Sequence, residues 1–373
     1  MRRRAWLLAA SAASASLAPL RAGAAAPEMR PRALEFPRDH GAHTAYAVEW
    51  WYATGWLRGE SGGDLCGFQL TFFRARTGLS EGSASRFAPR QLLFAHAAIT
   101  DLRAGRLLHA QRVQRWSGDE AAALASASAA DTRVNLHDWQ LAREAAGAYH
   151  ARLLKADAAA EERFGFALTL TPAQGLLLHG DAGYSRKGPE PAQASHYYSQ
   201  PQLEVSGELQ RAGGLQRMRG RAWLDHEWSQ APLPQGAVGW DWIGINLDDG
   251  AALMAFVLRR ADGSALWAGG TYRGANGPAR VFGQDEVRFT PGRRWRSPAT
   301  QASYPVLWRV ESPAGSFEVH ALLDAQELDS RGSTGAVYWE GLSELRDARD
   351  GRRVGLGYLE MTGYAAPLRL PGA

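Results

Sequence analysis

The segment Ala222-Trp223-Leu224-Asp225-His226-Glu227-Trp228 gathers an imidazole, carboxylates and indoles into one short stretch. In an extended chain side chains alternate, so Ala222, Leu224, His226 and Trp228 take one face and Trp223, Asp225 and Glu227 the other. An imidazole beside an indole on an apolar face loses hydration. That favours its neutral form, which can accept or relay a proton. A hydrogen-bonded core histidine fits the same pattern. Regular alternation keeps Asp225 and Glu227 away from any metal ion bound by His226, so no zinc site is read here. The chemistry on offer is proton transfer by His226 or Asp225, with the Trp228 face beside them to stabilise a developing cation.

Three further clusters set carboxylates among aromatic rings. In Glu49-Trp50-Trp51-Tyr52-Ala53-Thr54-Gly55-Trp56, alternation puts Trp50, Tyr52, Thr54 and Trp56 on one face and Glu49 and Trp51 on the other. Such a stripe is either core or the wall of a ligand cavity, whose indole and phenol edges need polar partners. Gly239-Trp240-Asp241-Trp242 and Val337-Tyr338-Trp339-Glu340-Gly341 repeat the theme. Burial there would raise the pKa of Asp241 or Glu340 enough to make an acid near neutral pH; solvation would not. Substrate contact is therefore expected from Glu49, Trp50, Tyr52, Trp240, Asp241, Trp242, Tyr338 and Glu340. His40 and His43 are spaced like ligands but lie between Pro37 and Gly41 in a loop, and no metal is assigned to them. Gly78-Leu79-Ser80-Glu81-Gly82 matches G-x-S-x-G, a motif that works only on a strand-to-helix turn of an α/β sheet. No alternating βα pattern surrounds it, so it reads as a hairpin loop.

The elements that must position these groups are strands. Period-two segments recur at 48–57, 65–74, 92–100, 164–171, 203–209, 221–228, 239–247, 252–259, 266–272, 306–311, 317–323, 337–342 and 354–362. Turn chemistry such as Asp248-Asp249-Gly250 and Ala261-Asp262-Gly263 separates them. The result is an all-β, antiparallel chain. Asp119–Ala130 reads as one helix or a loop, and Gly180–Ser199 as a long loop. So many strands exceed one small barrel, and we expect two domains, 27–229 and 230–373.

Residues 1–26 read as an export signal: Arg2-Arg3-Arg4, an apolar stretch from Ala5 to Leu17, then Ala22-Gly23-Ala24. The apolar stretch is too short for a transmembrane anchor, and the paired arginines resemble a twin-arginine signal. A periplasmic or secreted protein is expected. The chain has 373 residues and a formal charge of +4. Cleavage would remove Arg2, Arg3, Arg4 and Arg21 and no acid, leaving a near-neutral protein without the footprint of a nucleic-acid binder. Cys66 is the single cysteine, so no intrachain disulfide forms, and its apolar surroundings mark it as core. The 14 Trp, 11 Tyr and 12 Phe point to apolar ligands held by aromatic walls.

The chain resembles the carotenoid 1,2-hydratase (hydroxyneurosporene synthase) family and its AttH-like secreted relatives. The resemblance rests on Phe36-Pro37-Arg38-Asp39-His40, Glu49-Trp50-Trp51-Tyr52, Phe68 to Arg74, Tyr197-Tyr198-Ser199, Leu224 to Trp228, Gly239 to Trp242 and Tyr338 to Gly341. It implies two tandem lipocalin-like antiparallel β-barrels and cofactor-free addition of water across a C=C bond of an acyclic carotenoid. It places the family's functional His and Trp on His226 and Trp228. A further Tyr and Asp of the family have no counterpart in Ala251–Phe256. The residues themselves leave three functions open. One is a hydratase (a lyase) that protonates an apolar isoprenoid or lipid-like alkene and stabilises the carbocation on Trp faces. Another is a periplasmic carrier of an apolar ligand serving an ABC-type export system. The third is a hydrolase that pairs two of Glu49, Asp241 and Glu340.

Overall fold

The computed structural model describes residues 27–369, apart from Ser61, Ser80, Glu81, Ala84, Arg86, Ala123 and 155–162. The expected export signal and the centre of the G-x-S-x-G match lie outside the described residues. Two antiparallel sheets account for most of the fold. In the first, Val48–Gly59 pairs on one side with Cys66–Arg76, followed outward by Gln91–Asp101 and Arg106–Trp116. On its other side lie Gly214–Ser229, Ala194–Arg211, Gly165–Pro172, Tyr149–Leu153 and three shorter strands ending at Ala125–Ala127. The edge strands Arg106–Trp116 and Ala125–Ala127 approach each other, nearly closing a barrel. The second sheet is centred on Gly239–Leu247, flanked by Ala252–Arg259 and by Arg353–Thr362, which in turn pairs with Ala336–Asp347. The chain is thus all-β, with two lipocalin-like barrels in tandem. The first sheet ends at Ser229 and the second begins at Gly239.

Alternation explains how each strand serves two environments. Trp51, Ala53, Leu57, Phe68, Leu70, Phe72 and Leu224 point into the first barrel and form its core with Cys66. Ile243, Ile245, Trp339, Leu359 and Met361 do the same in the second. The opposite faces are not left to solvent. Tyr52, Tyr197 and Trp223 of the first barrel pack against Trp242, Phe256 and Tyr358 of the second in a core between the barrels. Rings of this size remove about 150–250 Å2 each from water, or roughly 4–6 kcal/mol apiece as an upper bound. Contact is close enough to need glycine. A Cβ at Gly67 would lie 2.5 Å from the Tyr358 hydroxyl, and one at Gly244 would lie 3.1 Å from the Trp223 ring.

Two expectations are met only in part. Of the two readings of Asp119–Ala130, its described residues take the loop, interrupted by the strand Ala125–Ala127, which pairs with Arg133–Leu136. The expected loop Gly180–Ser199 is interrupted by the strand Tyr184–Arg186, and its last six residues belong to the 18-residue strand Ala194–Arg211. There tertiary pairing with Gly214–Ser229 outweighs the glycines and prolines just upstream.

Candidate active site

The strand Gly214–Ser229 divides its functional side chains between two compartments. His226 points into the first barrel, fully buried, with Nε2 2.9 Å from Glu49 Oε1 and Nδ1 3.0 Å from the Tyr198 hydroxyl. Glu49 only accepts, so Nε2 carries the proton; burial lowers the pKa and leaves the ring neutral. Tyr198 therefore donates to Nδ1 of His226 and accepts from Nδ1 of His40, 2.8 Å away. His43 has Nδ1 2.8 Å from Glu49 and Nε2 3.0 Å from Asp39. Two acceptor-only partners require an imidazolium. Burial opposes that charge, but the bonds to Asp39 and Glu49 outweigh burial and raise the His43 pKa. The charged ring lies flat on Trp228, centroids 3.6 Å apart and planes 6° apart. Arg74, fully buried, donates from Nε to Glu49 Oε2 at 2.9 Å, and Arg32 pairs with Asp39 at 2.6 Å. Burial would raise both carboxyls, yet these cations and imidazoles hold Asp39 and Glu49 far below the usual range.

His43, Glu49 and His226 bring three ligand-type atoms within 4.8 Å of one another, the one such group among the described residues. Their lone pairs and protons are already committed, and Glu49 also accepts the His43 backbone N–H at 2.9 Å. The donor set fits a closed hydrogen-bond hub rather than a metal centre.

Asp225 and Glu227 face the other way, into a cleft between the barrels that holds about 1080 Å3 of free space, its open mouth included. Trp50, Phe73, Trp240, Trp242, Phe256 and Leu258 form apolar walls, and Glu340 and Glu360 enter from the second barrel. Asp225 accepts from Tyr197 at 2.9 Å, from Trp223 at 2.6 Å and from Ser199. Burial still wins over these donors and pushes it up to about 7. Glu340 and Glu360 stand opposite each other on paired strands, so their Cβ atoms are about 5 Å apart. Burial, then the neighbouring Glu360, raises Glu340 well above the carboxylate range, and burial takes Glu360 to about 7. Glu340 Oε2 accepts from Gln69 at 2.6 Å. Its Oε1 is buried without a hydrogen bond, the Tyr52 hydroxyl lying beside it but not aligned to bond. Tyr338 is held at the same end by His96, its hydroxyl 2.8 Å from Nδ1. The cleft offers carboxyls that burial pushes toward the protonated form, set among aromatic walls.

The structure brings Asp225, Trp50, Tyr52, Trp240, Trp242, Tyr338 and Glu340 together in this cleft. It does not bring His226 and Trp228 there: they sit behind the strand, so the expected trio with Asp225 is not one site. Glu49 lies in the first barrel's hub. Asp241 lies inside the second barrel, 2.8 Å from both Arg259 and Tyr364, and burial takes it to about 6. Glu49, Asp241 and Glu340 thus occupy three separate compartments, and no two of them can act as a hydrolytic pair. Sequence reasoning weighed His40 and His43 only as a metal pair, and it assigned no role to Asp39, Arg74 and Tyr198 in the hub or to Gln69, His96, Lys187, Ser195, Tyr197, Ser199 and Glu360 in the cleft. Two signals were available. Ser195, Tyr197 and Ser199 alternate with His196, Tyr198 and Gln200, and Glu360 interrupts the face Leu356-Tyr358-Thr362.

Residues 27–364 match the AttH-like family. A crystal structure of a putative AttH from Nitrosomonas europaea is 47% identical, covers 91% of this chain and 99% of its own, and superposes with a TM-score of 0.81. Kievitone hydratase from Nectria haematococca shares the fold at 14% identity, over 91% of this chain and 98% of its own, with a TM-score of 0.66. No protein of curated function matches the sequence. The extent of the family match and the 47% identity lead to one conclusion: this chain belongs to the AttH-like family.

Proposed function

We propose that the protein is a cofactor-free hydratase that adds water across a C=C bond of an apolar isoprenoid or lipid-like molecule, acting after export from the cytoplasm. One observation carries this reading: Asp225 and Glu227 of one barrel meet Glu340 and Glu360 of the other in a single aromatic-walled cleft. Alkene hydration needs a proton donor strong enough to attack carbon, and a positioned acid contributes about 10²–10⁴ in rate. Glu340, buried and with one oxygen unbonded, is that donor, and Glu360 and Asp225 are the neighbours that return its proton. The faces of Trp50, Trp240 and Trp242 stabilise the developing cation, by about 2 kcal/mol for a desolvated ring. His226 and Trp228 act from behind, fixing the strand that carries Asp225 and Glu227. The fold shared with kievitone hydratase supports the reaction class, and the family resemblance supports an acyclic carotenoid as the substrate.

The test uses lycopene in detergent micelles and H2¹⁸O. The expected product is an alcohol carrying one ¹⁸O, formed at least about 100-fold more slowly by Glu340→Gln. Saturable quenching of tryptophan fluorescence by lycopene with no ¹⁸O product would replace the hydratase by a carrier.

A further inference from the structure

Of 42 basic residues in the chain, 40 are Arg and two are Lys, Lys155 and Lys187. Lys187 lines the cleft, and among the described residues no arginine does. Its ammonium lies 3.0 Å from Glu227 Oε1, 4.7 Å from the centre of the Tyr197 ring and 4.2 Å from that of Phe256. The backbone holds it there: the Lys187 N–H donates to Gln193 O at 2.7 Å, closing the loop that follows Tyr184–Arg186. A compact ammonium fits between two ring faces where a planar guanidinium would need more room.

Glu227 and Glu340 are clamped in matching ways by chemically different partners. Glu227 Oε1 receives the Lys187 ammonium and the Ser195 hydroxyl, while its Oε2 has no partner among the described residues. Glu340 Oε2 receives the neutral Gln69 amide, while its Oε1 is unbonded. Each carboxyl keeps one oxygen for the cleft. A neutral amide leaves burial free to keep the Glu340 carboxyl protonated.

Building on the hydratase reading, we propose that Glu227 is the general base that deprotonates the attacking water, and that Lys187 is the positioning residue that holds Glu227 Oε1 and leaves Oε2 to the water. The step balances without a further reactant. Glu340 gives its proton to one alkene carbon, the water oxygen bonds to the other, and a water proton passes to Glu227 Oε2. The product is the alcohol, with Glu340 ionised and Glu227 protonated. One proton returning through the cleft restores both. The charges that face Glu227 are few: Lys187 from the loop, Asp225 on its own strand, and Glu360 across the cleft. The Tyr197 phenol stands on the adjacent strand.

Two readouts test this, one of them independent of turnover. In the lycopene assay, Lys187→Met lowers kcat while KM stays nearly unchanged, and Lys187→Arg recovers part of the loss. Glu227→Gln lowers kcat by about 100-fold or more. An unchanged kcat in Lys187→Met overturns the assignment. For the second readout, reductive methylation with ¹³C-formaldehyde keeps the charge and labels only two side chains plus the terminus. Lys155→Arg identifies the Lys187 resonance by difference. That resonance is expected to change position in Glu227→Gln, which removes the anion beside the ammonium. A Lys187 signal unmoved in Glu227→Gln overturns the pairing even if water addition is observed. A signal that moves in a protein forming no ¹⁸O product preserves the pairing and removes the hydratase reading.

Discussion

The interior of the first barrel and the cleft outside it stand back to back on the same strands and use the same residue types, yet they treat a carboxyl group in opposite ways. In the interior, Glu49 and Asp39 meet Arg74, Arg32 and the His43 imidazolium, and both are held as anions. In the cleft, Asp225, Glu340 and Glu360 meet hydroxyls, an indole, an amide and each other, and burial drives them toward the protonated form. The carboxyls of both regions are buried, so burial alone does not choose between charged and neutral. The partner's charge does. A hub whose carboxylates and imidazoles are paired with one another has nothing left for a substrate. A cleft with bare oxygens does.

The largest effect that would break this comparison lies in the hub. Glu49→Gln leaves Arg74 buried without its anion, and removing one partner of a buried pair costs about 3–5 kcal/mol. Chemical denaturation at pH 7 should show a loss of that order. A loss below about 1 kcal/mol would mean that the hub is a loosely solvated cluster and the contrast is false.

Next comes the sign of the pH dependence. Glu360 has a folded pKa near 7, above the unfolded value near 4, so the folded state favours its proton. Its contribution is fully present below about pH 4 and is lost as pH rises toward 7. Glu360→Gln, neutral throughout, should therefore be more stable than the parent at pH 8, by up to about 3 kcal/mol, and no more stable at pH 4. Glu49 is depressed when folded, so its contribution is present above about pH 4 and lost as pH falls. Denaturation series at several pH values should give Glu360→Gln and Glu49→Gln opposite slopes; parallel slopes would erase the distinction.

How much of this was legible in the sequence follows from what alternation can and cannot report. Period two placed Asp225 opposite His226, and Trp50 and Tyr52 opposite Glu49, and the structure has them so. What it could not report is which face looks into a barrel and which into the gap between barrels, because both faces are buried. His226 drew attention as the more reactive side chain, although Asp225 and Glu227 own the cleft. The hub partners Asp39, His40 and His43 lie in an irregular segment where no period applies, and they reach Glu49 and Tyr198 only through tertiary closure. Lys187 follows a short strand hidden among glycines and prolines. Its sign was compositional: in a chain that otherwise uses arginine, a lysine is a choice of shape.

The finest test uses two adjacent tyrosines on opposite faces of one strand. Tyr197 donates to Asp225 Oδ2 at 2.9 Å and Tyr198 bonds to His226 at 3.0 Å, so one serves the cleft and the other the hub. The bond from Tyr197 favours the Asp225 carboxylate. Tyr197→Phe should therefore raise Asp225 further above about 7, and move the alkaline limb of hydration upward by about half a pH unit, or about 0.7 kcal/mol. It also removes the acceptor for Trp242 Nε1, 3.0 Å away, at a stability cost of about 1–2 kcal/mol. Tyr198→Phe should cost comparable stability by stripping His226 and His40 of their shared hydroxyl, yet leave the alkaline limb in place. If both variants move the limb equally, the two faces are one electrostatic unit. If only Tyr197→Phe does, one strand separates a structural hub from a proton-donating cleft, and neighbouring residues report on each.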